Sequence, residues 1–176
     1  MKNITELIKE LREKTGAGFL DCKKSLEENN NDIEKSVEAL RKKGLAKASK
    51  KTDRAANEGA VGIYSNKSIT VLIKVNSETD FAAKSDAFLN FLDELGNCAL
   101  KANNIYLKKE DFLNLKFNEG TVLDYINEMI AKIGENLILN DLLILKNNEL
   151  ESSYYVHNNY KENIGKIIAL IQYKTN

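Results

Sequence analysis

From Ile69 to Val75 the chain reads Ile69, Val71, Ile73 and Val75 in alternation with Thr70, Leu72 and Lys74, a mostly apolar run that predicts a well-buried strand. Further on, Phe88, Leu89, Phe91, Leu92, Leu95, Cys98, Ala99 and Ala102 fall at helical spacing, so a long amphipathic helix is expected from about Ser85 to Ala102. Between the two lies the corner Asn76-Ser77-Glu78-Thr79-Asp80-Phe81-Ala82-Ala83-Lys84, which sets a carboxylate beside an aromatic ring. Strand-to-helix corners on rigid scaffolds often carry function. The plainer expectation is that Thr79 or Ser85 caps the helix, Asp80 is a first-turn acid and Phe81 fills the core.

Ahead of this strand, Thr5 is placed to cap a helix with Leu7, Ile8 and Leu11 on one face, ended by Gly16 or Gly18. A second helix is expected from about Phe19, with Cys22 and Leu26 inward, broken at Asn29-Asn30-Asn31. Asp32 then caps a third, with Ile33, Val37 and Leu40 buried, stopped at Gly44. Three short helices over residues 1–45 make a compact bundle with a small core. From Gly59 the period changes, and 59–64 and 68–75, joined by Ser65-Asn66-Lys67, read as a hairpin. Phe112, Leu113 and Leu115 mark a short helical piece, and Thr121 caps a helix that turns Val122, Tyr125, Ile126, Met129 and Ile133 inward.

The last third is strand-rich: 137–145 is an apolar run, 152–157 alternates, and 164–173 carries Ile167, Ile168, Leu170 and Ile171. The pair formed by the last two echoes the first hairpin, a weak internal repeat. The fold class is therefore α+β, with the helical module at 1–45, a basic linker at 46–58 and an α+β core of antiparallel strands and flanking helices at 59–176. The second copy of the strand pair ends without a helix of its own, so Leu137, Leu139, Ile167 and Ile171 need a cover. Either the 121–135 helix supplies it, leaving a monomer, or a second chain does, and the reading favours a homodimer.

Composition removes several classes. The 26 basic residues balance 26 acidic ones, so no global charge drives the chain onto nucleic acid or an anionic membrane. No apolar run reaches the roughly 20 residues of a membrane span, and the charged N-terminal helix is unlike a signal peptide, which makes a cytoplasmic location the expectation. Cys22 and Cys98 are far apart and His157 is the single histidine, so neither a metal site nor a histidine-based acyl-transfer triad is expected.

The stretch 11–26, Leu-Arg-Glu-Lys-Thr-Gly-Ala-Gly-Phe-Leu-Asp-Cys-Lys-Lys-Ser-Leu, resembles the N-terminal signature of the elongation factor Ts family, and 33–44 continues it. Thr79-Asp80-Phe81-Ala82-Ala83-Lys84 resembles that family's Thr-Asp-Phe-Val-Ala signature, with Ala82 where valine is usual. Ile133-Gly134-Glu135-Asn136 and Tyr155-Val156-His157 with Ile164-Gly165 are similar to its second core subdomain, although extra residues separate His157 from Ile164. With neither a coiled-coil insertion nor closing C-terminal segments, the chain resembles a short-form member.

The resemblance implies a ubiquitin-associated-like module that leans on the GTP-binding domain of elongation factor Tu, and an exchange factor with no bond-making chemistry and no cofactor. It implies that Thr79, Asp80, Phe81 and Ala82 form a wedge that displaces the partner's magnesium ion. Arg12, Phe19, Leu20 and His157 become candidate partner contacts. On the residues alone, one of Phe19 and Leu20 fills the bundle and His157 is as well suited to a structural role.

Two other classes remain open. Lys42, Lys43, Lys47, Lys50 and Lys51 between Arg41 and Arg54 form a basic strip that an RNA-binding or adaptor protein would use, though no aromatic residue is interleaved to stack a base, and the strip reads as a connector. An enzyme using Glu78 and Asp80 as paired acids ranks last, since no phosphate loop or metal cluster accompanies them.

Overall fold

The computed structural model describes residues 3–49 and 51–174; Lys50, counted above in the basic strip, lies outside the described residues, as does the side chain of Lys47. Helix α1 (Ile4–Thr15) is capped by Asn3, not Thr5: the Asn3 side chain accepts the Thr5 N–H at 3.2 Å and the Glu6 carboxylate accepts the Asn3 N–H at 3.1 Å. That reciprocal pair satisfies two of the four orphan donors at a helix start. Helix α2 (Phe19–Glu28) stops where Asn30 and Asn31 take left-handed φ values of 55° and 60°. Helix α3 (Ile33–Ser49) begins at Asp32, whose carboxylate accepts the Lys35 N–H at 3.0 Å.

Ile8, Leu11, Cys22, Leu26 and Leu40 form the core of this bundle. Two buried serines lock α2 to α3: Ser25 Oγ donates to the Ser36 carbonyl at 3.1 Å and Ser36 Oγ to the Ser25 carbonyl at 3.2 Å. Helix α3 does not stop at Gly44 as expected. A glycine ends a helix by turning left-handed, and Gly44 is not among the residues with positive φ; it sits where a Cβ would lie 3.2 Å from that of Ala131. Packing against the core, rather than chain termination, accounts for this glycine.

Strands β1 (Glu58–Ser65) and β2 (Ile69–Ser77) form the expected hairpin, with Ala60 opposite Val75. The single turn α4 (Asp80–Ala83) and the long helix α5 (Asp86–Ala102) follow, then α6 (Lys109–Leu113), the small ladder of β3 (Lys116–Phe117) and β4 (Gly120–Thr121), and α7 (Val122–Ile133). Thr121 caps α7 in a capping box with Asp124. Strands β5 (Leu137–Lys146), β6 (Glu151–Lys161) and β7 (Ile164–Tyr173) complete one antiparallel sheet of order β5-β2-β1-β7-β6. The two strand pairs of the internal repeat thus share a sheet, joined where Val61 lies opposite Gly165 and Gly62 opposite Ile164, with the Ile63 N–H donating to the Asn163 carbonyl at 2.9 Å. Strand β6 runs past His157 because an irregularity between Asn159 and Lys161 absorbs the extra residues.

One face of the sheet carries Val71, Ile73 and Val75 against Phe88, Leu92 and Leu95 of α5 and Ile126 and Ile130 of α7, all buried in one cluster. Leu137 and Leu139 are buried there too, whereas Ile167 and Ile171 are 58% and 63% exposed. Ile167 and Ile171 alternate in step with Gly165, which pairs with Val61, and so lie on the face turned away from α5 and α7; the 121–135 helix covers Leu137 and Leu139 but is not the cover for these two.

Candidate functional site

The corner is built from two caps in succession. Thr79, at the end of β2, accepts the Ala82 N–H on its hydroxyl at 3.2 Å, and Ser85 accepts the Phe88 N–H at 3.3 Å. Ser85 also donates to the Ala82 carbonyl at 2.8 Å, so α4 is pinned at both ends. Ala82 and Ala83 are buried against the sheet, which anchors the turn by its inner side. Phe81 points the other way and is 84% exposed. The expectation that Phe81 fills the core is overturned: Phe88 and Phe91, at most 1% exposed, occupy that space.

Asp80 pairs with Lys84 one turn on, at 2.7 Å, and this bond from the ammonium holds its carboxyl below the usual carboxylate range. Lys84 also lies over the Tyr160 ring, 5.9 Å from its centre, so the corner adjoins β6. Glu78 faces a different set of partners, the Asn136 N–H at 2.6 Å and the Arg54 guanidinium at 3.5 Å. The two acids are thus held by separate cations and donors rather than as a working pair.

The structure gathers Thr79, Asp80, Phe81 and Ala82 into one turn. Arg12 and Phe19 line an open groove of about 480 Å³ beside α1, with Thr5, Ile8 and Lys9. Phe19 is 48% and Leu20 78% exposed, so neither fills the bundle, contrary to the expectation that one does. His157 stands exposed on β6 opposite Ile167, its ring 6.1 Å from that of Tyr155. The basic strip is largely engaged: Arg41 bonds Glu128 at 2.9 Å, Lys42 Glu38 at 2.7 Å and Lys43 Asp21 at 2.7 Å, while Lys51 donates to the Gly134 carbonyl. Among the described residues, no group of three or more His, Cys, Asp or Glu side chains is placed to hold a metal, and no helix is long and apolar enough to cross a membrane.

A family model for elongation factor Ts matches residues 78–176, more than half of the chain. The chain belongs to the elongation factor Ts family. It is 42% identical over 172 residues to elongation factor Ts of Allorhizobium ampelinum, covering 96% of this chain and 54% of that protein. It is 43% identical over 172 residues to those of Methylobacterium sp. strain 4-46 and Methylobacterium nodulans, covering 97% of this chain and 56% of each. The chain spans about half the length of these curated relatives. The elongation factor Ts match begins at Glu78, within the corner, and the relatives extend the likeness to the helical module.

Sequence reasoning noted Glu135 and Asn136 only as part of the family resemblance and gave them no role at the corner, to which they bond from 56 and 58 residues away. Their signal was present as Gly134-Glu135-Asn136 after a helical run, a helix end delivered to the strand beside β2.

Proposed function

We propose that the chain is a guanine-nucleotide exchange factor that binds elongation factor Tu carrying GDP and promotes GDP release by disturbing the magnesium and phosphate site. The observation that carries this reading is the Phe81 ring, 84% exposed on a turn pinned at both ends. A ring left in water by its own fold is a natural anchor for a partner's pocket. An exchange factor needs no acid, base or metal, only surfaces that bind the nucleotide-free state better than the loaded one. Magnesium demands near-ideal octahedral geometry, so a wedge that moves its ligands slightly weakens the hold on GDP.

In this reading Phe81 wedges the partner's helices apart, Asp80 works beside it, and Thr79 and Ala82 set the turn. Arg12, Phe19, Leu20 and His157 supply further contacts. The helical groove and the corner then act as two grips, the first giving affinity and the second the strain. Stopped-flow release of fluorescent GDP from elongation factor Tu tests it: acceleration that saturates with the chain is expected, and unchanged kinetics at saturating chain refutes it.

We further infer a homodimer through the outer face of the β6–β7 pair. Tyr155, Ile167 and Ile171, 65%, 58% and 63% exposed, share one face of the β6–β7 pair. A two-fold axis would set these apolar side chains against their own copies.

A further inference from the structure

Helix α4 is a single turn, too short to hold itself, and Phe81 gains almost nothing from packing. The direction of the ring is therefore set by what holds the turn: Ala82 and Ala83 against the sheet, Ser85 behind it, and the contacts of Thr79 before it. Ser77 pairs with Leu137, which brings 78–79 alongside 135–136. There the Glu135 carboxylate accepts both the Thr79 N–H, at 3.0 Å, and the Thr79 hydroxyl, at 2.7 Å. With its proton committed to Glu135, the hydroxyl turns a lone pair to the Ala82 N–H and closes α4. Asn136, 1% exposed, donates its N–H to Glu78 and its amide to the carbonyls of Thr52, at 3.1 Å, and Arg54, at 2.7 Å. One turn of chain thus grips the corner and the segment that leads out of the helical module.

We propose that Glu135 and Asn136 are positioning residues for nucleotide exchange. They help set the direction of Phe81 and hold the module's exit segment at the same point, so that both grips keep a fixed spacing. This inference rests on the reading of the corner as the element that drives GDP release. It predicts a split in the kinetics: loosening the strut costs wedge action, realised in the exchange step, more than it costs encounter.

The test compares the full chain with its Glu135→Ala and Glu135→Gln variants in stopped-flow GDP release over a range of chain concentrations. Glu135→Ala should lower the maximal release rate about tenfold while moving the half-saturating concentration by less than about threefold. Glu135→Gln, which keeps one acceptor oxygen, should recover most of the rate. Amide hydrogen exchange in the free chain should quicken at Thr79 and Ala82 in Glu135→Ala and stay unchanged along β2. An unchanged maximal rate beside an accelerating wild type, or unchanged protection at Thr79 and Ala82, overturns the inference. If the wild type itself does not accelerate release, the exchange reading fails, and the amide measurement still judges the strut. Should Glu135→Ala not fold, Glu135→Asp keeps the charge but falls one methylene short, and a maximal rate equal to wild type with it overturns the proposal.

Discussion

Replacing Phe81 by alanine separates a wedge from a core residue, because the two roles predict effects of different size on different measurements. Deleting a fully buried phenylalanine costs about 3–5 kcal/mol of folding stability. With the residue 84% exposed, only about a sixth of that burial exists in the free chain, so Phe81→Ala should cost roughly 0.5–0.8 kcal/mol. For a chain of this size that is about 1–3 °C in the melting midpoint. If the ring is instead buried in the partner during exchange, it behaves as an aromatic hot spot worth about 2–4 kcal/mol. That corresponds to a loss of roughly 30-fold to 10³-fold in exchange efficiency. Thermal denaturation and stopped-flow GDP release on the same preparation check both numbers. A variant that melts far earlier yet exchanges normally once folded would refute the reasoning.

Ser25→Ala and Ser36→Ala should each cost about 1 kcal/mol in denaturant unfolding, since each removes one arm of the buried lock between α2 and α3; no change in either refutes the lock. Burial pushes the Asp93 carboxyl up, but bonds from Lys161, Asn163 and Tyr64 outweigh it and leave it below the ordinary range. A lowered carboxyl stabilises the fold above its unfolded value and loses that contribution as the pH falls through the folded one. Wild type should therefore lose thermal stability faster than Asp93→Asn below about pH 4, and parallel curves would refute this. Light scattering over a concentration series should give a dimeric mass at micromolar chain, abolished by Ile167→Lys with Ile171→Lys; a monomer exchanging fully at one chain per partner ends the dimer.

Regular periods made much of the fold legible. Alternation gave the strands on either side of Ser65-Asn66-Lys67, and Ser85 and Thr121 announced their helices because a hydroxyl before an apolar helical run has a definite job. What stayed hidden depends on partners distant in sequence. Gly44 reads as a stop by propensity until Ala131 lies against it. The outward turn of both Phe19 and Leu20 follows from a bundle interior already filled by Ile8, Leu11, Cys22, Leu26 and Leu40. For the corner, the residue types pointed to the place, but no pattern tells an exposed phenylalanine from a buried one. The hold of Glu135 on Thr79 spans 56 residues and has no period at all.

The strand order β5-β2-β1-β7-β6 also bears on how the chain is made. The β1–β2 hairpin sits at the centre of the sheet, yet its neighbours arrive late: β5 ends at Lys146, while β2 ends at Ser77. At about 5–20 residues per second of synthesis, the β2 edge waits roughly 3–14 s for its partner. During that wait it offers unpaired backbone flanked by Val71, Ile73 and Val75, and the chain has no proline to blunt it. The stretch that ends in the exposed ring is thus also, until β5 emerges, an apolar strand with one edge unpaired in the nascent chain.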